Sequence, residues 1–243
     1  AHKPIARLGH ALFLFQVPIQ GSPTWIVQCY DTIPGEVLQR NLALDPAARL
    51  IHIDCQNVQV YPREIDAGYH LLPADSTIPS TSSVEVDIRH PSGASLGKII
   101  KSRVKPHPSN KPDLARDVLA GPLTFLGYDL DKTSANATDR GQARPIVLTT
   151  YWQVQNVPDR PLSLMAHLLD ASGHPIAIGD AMDYPLDQWQ VGDLLVQKHR
   201  LEPVSSVPHD TTLTLVTGGY WLDTMERWPV GDPGPDRMDA LVL

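Results

Sequence analysis

From about residue 121 onward the chain repeats with a period of two. Ile146, Leu148, Thr150 and Trp152 share one face of an extended segment, Leu162, Leu164, Ala166 and Leu168 share one face of the next, and Leu213 and Leu215 do so later. Successive side chains of a strand point to opposite sides of a sheet, so this alternation gives strands with one apolar face. Turn-forming residues divide the runs at Pro158-Asp159, Ser172-Gly173, Val191-Gly192-Asp193 and Pro208-His209-Asp210. About eight short strands with no helical pattern predict an all-β sandwich, jelly-roll-like, with its edges protected by proline and charge. The 23 prolines fall between apolar runs and form no repeat, as strands ended by turns require.

The first hundred residues read differently. Trp25-Ile26-Val27-Gln28-Cys29-Tyr30 and Leu50-Ile51-His52-Ile53-Asp54-Cys55 are β-prone runs, and between them Pro34 to Leu44 has helical spacing at Val37, Leu38, Asn41 and Leu42. Pro34 suits a first helical turn, with Thr32 or Ile33 at the cap. This is a β-α-β unit, whose crossover implies two parallel strands in one sheet. Further strands are expected at Val58 to Tyr61 and Tyr69 to Leu72, and Val84, Val86 and Ile88 alternate before a His90-Pro91-Ser92-Gly93 turn and a returning partner over Leu96 to Val104. Ile5 to Ile19 fits either helix or strand. The segment Lys105 to Asp117, poor in apolar residues, reads as a linker. The expected organisation is an α+β chain of two domains: a small α/β domain over 1–104, a linker over 105–117 and the β-sandwich over 118–243.

Charge and composition narrow the function. With 20 Lys and Arg against 27 Asp and Glu, the chain carries −7 and no basic block, which argues against nucleic acid as a partner. The apolar stretch Ala11 to Phe15 is far short of the roughly 20 residues a membrane-spanning helix needs. The start lacks the regions of a signal peptide, so any export signal or anchor is expected upstream in a longer parent chain. Cys29 and Cys55 are the only cysteines. They read either as two buried thiols, which behave as small hydrophobes, or as a disulfide suited to an oxidising compartment.

Several segments of the second half resemble one family in order. Leu126-Gly127-Tyr128-Asp129-Leu130 is similar to the opening of the β-sandwich that follows the membrane region of bacterial dolichyl-phosphate-mannose-type glycosyltransferases. Thr150-Tyr151-Trp152-Gln153 resembles a later strand of that domain. Pro158-Asp159-Arg160, followed by Ala166-His167-Leu168-Leu169-Asp170-Ala171-Ser172-Gly173, resembles its next hairpin. Tyr184-Pro185, Trp189-Gln190-Val191-Gly192-Asp193 and Arg227-Trp228-Pro229-Val230 continue the likeness, which covers about half of the chain. In the first half, Tyr69-His70-Leu71-Leu72-Pro73-Ala74 resembles the stretch after the last membrane span. The family's catalytic acidic residues lie in loops near the start of its membrane portion, which this sequence does not include. The resemblance therefore implies a noncatalytic accessory region on the extracytoplasmic face of the membrane, tethered to the membrane domain of a parent enzyme that uses a lipid-phosphate sugar donor. Its partners would be that membrane domain and a glycan or glycosyl acceptor.

Read from the residues alone, chemical candidates are few. GxSxG, HExxH, P-loop and GxGxxG patterns are absent, and no cofactor is called for. Asp31-Thr32-Ile33-Pro34-Gly35 would place a helix N-terminus where an anion can sit, which keeps a small α/β enzyme as a third reading. Of the ten histidines, His90, His107, His174 and His209 sit beside prolines or in turns, and His167 is opposite in parity to Leu164 and Leu168; no metal-ligand spacing joins them. Asn136-Ala137-Thr138 matches a glycosylation sequon, a pattern common by chance. Tyr184, Trp189, Tyr220, Trp221 and Trp228 allow two readings: plugs at the ends of the sandwich, or exposed rings that stack on sugars. The second reading would make this a carbohydrate-binding module.

Overall fold

The computed structural model describes residues 6–8, 12–14, 23–29, 45–76, 82–89, 92–110, 118–131, 145–202, 212–230 and 239–243. The protein is predominantly β and divides into two compact units, residues 1–55 with 64–106, and residues 56–63 with 107–243.

In the first unit β1 (Ala6–Leu8) and β2 (Leu12–Leu14) form an antiparallel pair. The main sheet joins β3 (Trp25–Cys29), β4 (Arg49–Ile53), β6 (Gly68–Pro73), β7 (Ser82–Arg89) and β8 (Ser95–Ser102) in the order β4-β3-β6-β8-β7, while β5 (Val58–Tyr61) belongs to the second unit. Strand β3 runs parallel to β4 and β6, and β8 runs antiparallel to β6 and β7. All five residues of β3 are buried. A central strand covered on both faces has no solvated parity, which is why Trp25 to Cys29 shows an unbroken apolar run. The expected parallel pair is present. The helix expected over Pro34 to Leu44 lies outside the described residues, as do Asp31 to Gly35, and the one described helical element of this unit is a single 3-10 turn, Ile65–Ala67.

One open alternative is decided and one expectation is corrected. Cys29 and Cys55 are not free thiols but form a disulfide, with their Cα atoms 5.3 Å apart. Parallel pairing sets Cys29 opposite Ile53, so Cys55, two residues farther on, comes within bonding reach of Cys29. Val58 to Tyr61 does not extend the first sheet: the chain leaves the first unit after Cys55, pairs with the second unit's sheet as β5 and returns at Glu64.

The second unit is built from antiparallel strands: β9 (Val118–Ala120), β10 (Leu123–Asp131), β11 (Ile146–Val154), β12 (Leu162–Leu169), β13 (Pro175–Ile178), β14 (Leu194–Leu201), β15 (Thr214–Trp221) and β16 (Leu241–Val242). One sheet has the order β5-β14-β11-β10-β9 and the other β13-β12-β15-β16. The alternation read from sequence points inward. Leu148 and Leu201 of the first sheet pack with Ala166, Leu168 and Ala177 of the second, and Leu213 and Leu215 close the same cluster. Face-to-face contact of two antiparallel sheets makes this unit sandwich-like. The expected linker is fixed near its middle, because Asn110 exchanges backbone hydrogen bonds with Tyr128 at 3.0 and 2.9 Å. Its neighbour Pro108 lies where a side chain on Gly127 would fall, and Gly127 has φ of 140° at an irregularity in the β10 ladder.

Candidate functional site

The five aromatic residues do not form a single platform. Tyr184 stacks on Trp189 with ring centroids 5.5 Å apart, and both are buried. Their polar atoms are used internally. The Tyr184 hydroxyl donates to the Gln188 carbonyl at 2.5 Å and lies 3.3 Å from the Asp193 carboxylate, and Trp189 Nε1 donates to the Tyr184 carbonyl at 3.1 Å. Trp228 is 1% exposed and lies against Gly121 and Gly219; a Cβ on Gly219 would fall 2.3 Å from its ring. These three rings fill the sandwich and present no free face to a ligand. Trp221 is half-buried, edge-on to Trp228, with the Arg160 guanidinium 4.7 Å from its centroid. Arg160 is itself held by Asp223 at 2.6 Å and Thr224 at 2.9 Å.

Tyr220 belongs elsewhere, in a polar chain on the face of the four-stranded sheet opposite the core. In β12 the core parity is Leu164, Ala166 and Leu168, so Ser163, Met165 and His167 point the other way. His167 therefore lies on the outer face, as its parity predicts. Its Nε2 is 3.0 and 3.2 Å from the two carboxylate oxygens of Asp180. Asp180 also accepts the Ala166 N–H at 3.0 Å and the Tyr220 hydroxyl at 3.2 Å. Ser163 lies directly across the ladder from Tyr220. Burial would push the Asp180 carboxyl up, but the bonds from His167, Ala166 and Tyr220 and the nearby imidazole hold it below its usual range. Since Nε2 faces only carboxylate oxygens, it carries a proton. The Nδ1 atom meets no partner among the described residues.

A second polar group lies between the two sheets. Gln197 and His199 share the inward parity of Leu195 and Leu201 on β14, opposite Thr150 and Leu148. His199 Nδ1 donates to the Gly179 carbonyl at 2.8 Å, and its Nε2 accepts from the Thr150 hydroxyl at 2.9 Å. Burial lowers its pKa from 6.5 to about 4, against smaller upward effects of the Gly179 bond and the Asp180 charge. Gln197 Nε2 reaches the Asn57 carbonyl at 3.1 Å and Asp183 at 3.3 Å. Sequence reading missed Gln197, His199 and Asp180. The first two had a signal, a polar side chain at core parity; Asp180, beyond the end of β13, had none.

Among the described residues, no group of three or more His, Cys, Asp or Glu side chains is placed to hold a metal ion, and no helix is long and apolar enough to cross a membrane. The sequon at Asn136 and the histidines His90 and His209 lie outside the described residues. No family model matches the chain, and no curated protein and no solved structure matches it.

Proposed function

We propose that the chain is a noncatalytic extracytoplasmic region of a membrane glycosyltransferase that uses a lipid-phosphate sugar donor, with a small α/β domain followed by a jelly-roll-like sandwich. The observation that carries this reading is where the family-like segments fall in the fold. Asp129 of the Leu126–Leu130 segment accepts the hydroxyl of Tyr151, from the Thr150–Gln153 segment, at 2.6 Å. Asp193 of the Trp189–Asp193 segment lies against Tyr184 of the Tyr184-Pro185 pair. Asp170 caps its own hairpin by accepting the Ser172 and His174 N–H groups at 2.8 and 2.9 Å. Trp228 closes onto Gly121 and Gly219. The Leu126–Leu130 and Thr150–Gln153 segments thus meet across neighbouring strands, and the others cap turns or pack within the sandwich, the places a shared scaffold would keep.

The Cys29–Cys55 disulfide adds support, because such bonds persist in oxidising compartments outside the cytoplasm. The partner on this reading is the membrane domain of the same parent chain, and the enzyme's chemistry resides there. The test is to read the parent gene and map its topology. A block of hydrophobic spans upstream of Ala1, with this region digested by protease added to intact spheroplasts, is expected. A parent without such spans, or a protected and reduced region, overturns the proposal.

A second reading, a carbohydrate-binding module, is favoured by one observation: Tyr220, a partly exposed ring, donates to the Asp180 carboxylate, which also holds the His167 imidazole on the same sheet face. Rings beside hydrogen-bonding groups suit sugars, which have apolar faces and polar rims. Loss of glycan binding in Tyr220→Ala with retention in Trp189→Phe is the outcome that supports it.

A further inference from the structure

Strand β5 is written into the chain between β4 and β6 of the first unit's sheet, yet it completes a sheet of the sandwich. It pairs antiparallel with β14, setting Val60 opposite Leu195 and Val58 opposite Gln197. Val58, Val60 and Tyr61 are all buried, although β5 is the edge of its sheet. Just before the strand, the Asn57 carbonyl accepts the Lys198 N–H at 2.7 Å and Gln197 Nε2 at 3.1 Å. Without β5, the backbone groups of Leu194 to Gln197 would stand as an open edge, and an open edge accepts a further strand. The groove is matched to this segment: apolar side chains at alternate positions, preceded by a carbonyl acceptor.

We propose that the β14 edge takes β5 from a second copy of this chain, so that two copies exchange strands and join. The chain passes between the units after Cys55, after Arg63 and after Pro106. The first two crossings flank β5, which therefore stays continuous with the first unit at both ends, and the Cys29–Cys55 disulfide anchors one of those ends there. Only the crossing at Pro106–His107 has to open for the exchange. Lys105, Pro106 and His107 belong to no strand or helix, and Pro106 has no N–H to lose from a ladder. Beyond them, Pro108 and Asn110 stay with the second unit, against Gly127 and Tyr128. Exchange rebuilds the same β5–β14 contacts in a second copy, so the groove loses nothing and concentration decides the outcome. Within one copy the tether holds β5 at an effective concentration on the order of millimolar. Exchange grows as the protein is crowded toward that range.

The test uses the full 243-residue chain, denatured and refolded at mildly acid pH, where introduced thiols stay protonated and leave Cys29–Cys55 intact. One copy carries Gln59→Cys and the other Val196→Cys, residues that face each other across the ladder. Neither copy alone can link residues 59 and 196; dibromobimane, a short thiol crosslinker, joins them once strands have been exchanged. Mass spectrometry is expected to find that link, and the ratio of dimer to monomer should rise about tenfold when the refolding concentration is raised about tenfold. Arg200→Cys in place of Val196→Cys puts an exposed thiol farther along β14, outside the β5 pairing, and reports random collision. Wild-type chain refolded at the same concentrations and sized by light scattering gives a reading that depends on no variant, and it should show the same dimer. A 59-to-196 link no more frequent than the 59-to-200 link, or a wild type that stays monomeric throughout, overturns the proposal. Neither result bears on the membrane spans of the parent, so this proposal and the functional one fail separately.

Discussion

The central strand of the first unit and the strands of the sandwich solve burial in different ways. Strand β3 buries all five residues, Trp25 to Cys29, and its parallel partner β4 is stapled to it by the Cys29–Cys55 disulfide. The sandwich has no such staple among its described residues; it relies on alternate side chains, on Trp228 seated over two glycines and on turns capped by Asp170 and Asp193. The difference locates the stability of each: a covalent link that restrains the unfolded chain in one, and jigsaw packing in the other.

The sharpest way to break the comparison is Trp228→Ala. It deletes a ring that is 1% exposed and leaves Gly121 and Gly219 without the group they accommodate. A loss of about 4 kcal/mol is expected from emptying such a site. Hydrogen exchange should show it in β10 to β16 and leave β3 and β6 protected. The disulfide gives the converse. Cys29→Ser with Cys55→Ser opens a loop whose ends are 26 residues apart. The chain-entropy model assigns such a loop about 3.5 kcal/mol. Its loss should appear in β3, β4 and β6, measured by the same exchange experiment with and without reductant.

Acid provides a third test, confined to the sandwich. His199 has a folded pKa of about 4, below its ordinary 6.5, so the unfolded chain binds the proton more readily. The corresponding stability is fully present above about pH 6.5 and is lost as pH falls toward 4, amounting to about 3 kcal/mol. Asp129 and Asp180, held below their usual range, add their losses only beneath the ordinary carboxylate range near 3.8. Denaturation midpoints measured from pH 7.5 to 4 should therefore fall for the wild type and stay flatter for His199→Gln. Equal slopes for the two would remove His199 as the cause.

The same contrast explains what could be read in advance. Ile146 to Trp152 and Leu162 to Leu168 announced their strands and their inward faces, because a half-buried strand writes its burial as alternation. Val58 to Tyr61 was legible as a strand, but its partner was not: four residues carry a pattern of burial and no address, and the partner Leu194 to Gln197 lies more than 130 positions away in sequence. Cys29 and Cys55 could be weighed as thiols or disulfide, and only the parallel register of β3 and β4 decided it. In the candidate site, parity placed His167 outward. Asp180, which gives that histidine its orientation, follows the end of β13, where neither period nor motif marks it. Aromatic residues were the most misleading: a Trp or Tyr in a β protein signals large buried area as readily as a binding face, and Tyr184, Trp189 and Trp228 proved to be packing.

The smallest effect tests whether the family-like segments act as framework. Tyr151 is buried, and its hydroxyl donates to Asp129 at 2.6 Å, while Ser109 N–H donates to the other carboxylate oxygen at 2.6 Å. Burial and the Asp129 charge both push the phenol pKa upward, so it remains a donor across the physiological range. Tyr151→Phe keeps the ring and removes only this bond. Asp129 is half-exposed and can recruit water in exchange, so the cost should be about 1 kcal/mol rather than the larger penalty of an orphaned buried charge. Asp129→Asn should cost about the same, and the double variant little more than either alone, because both changes remove one interaction. Additive losses would mean that the two segments contribute separately and are not interlocked through this contact.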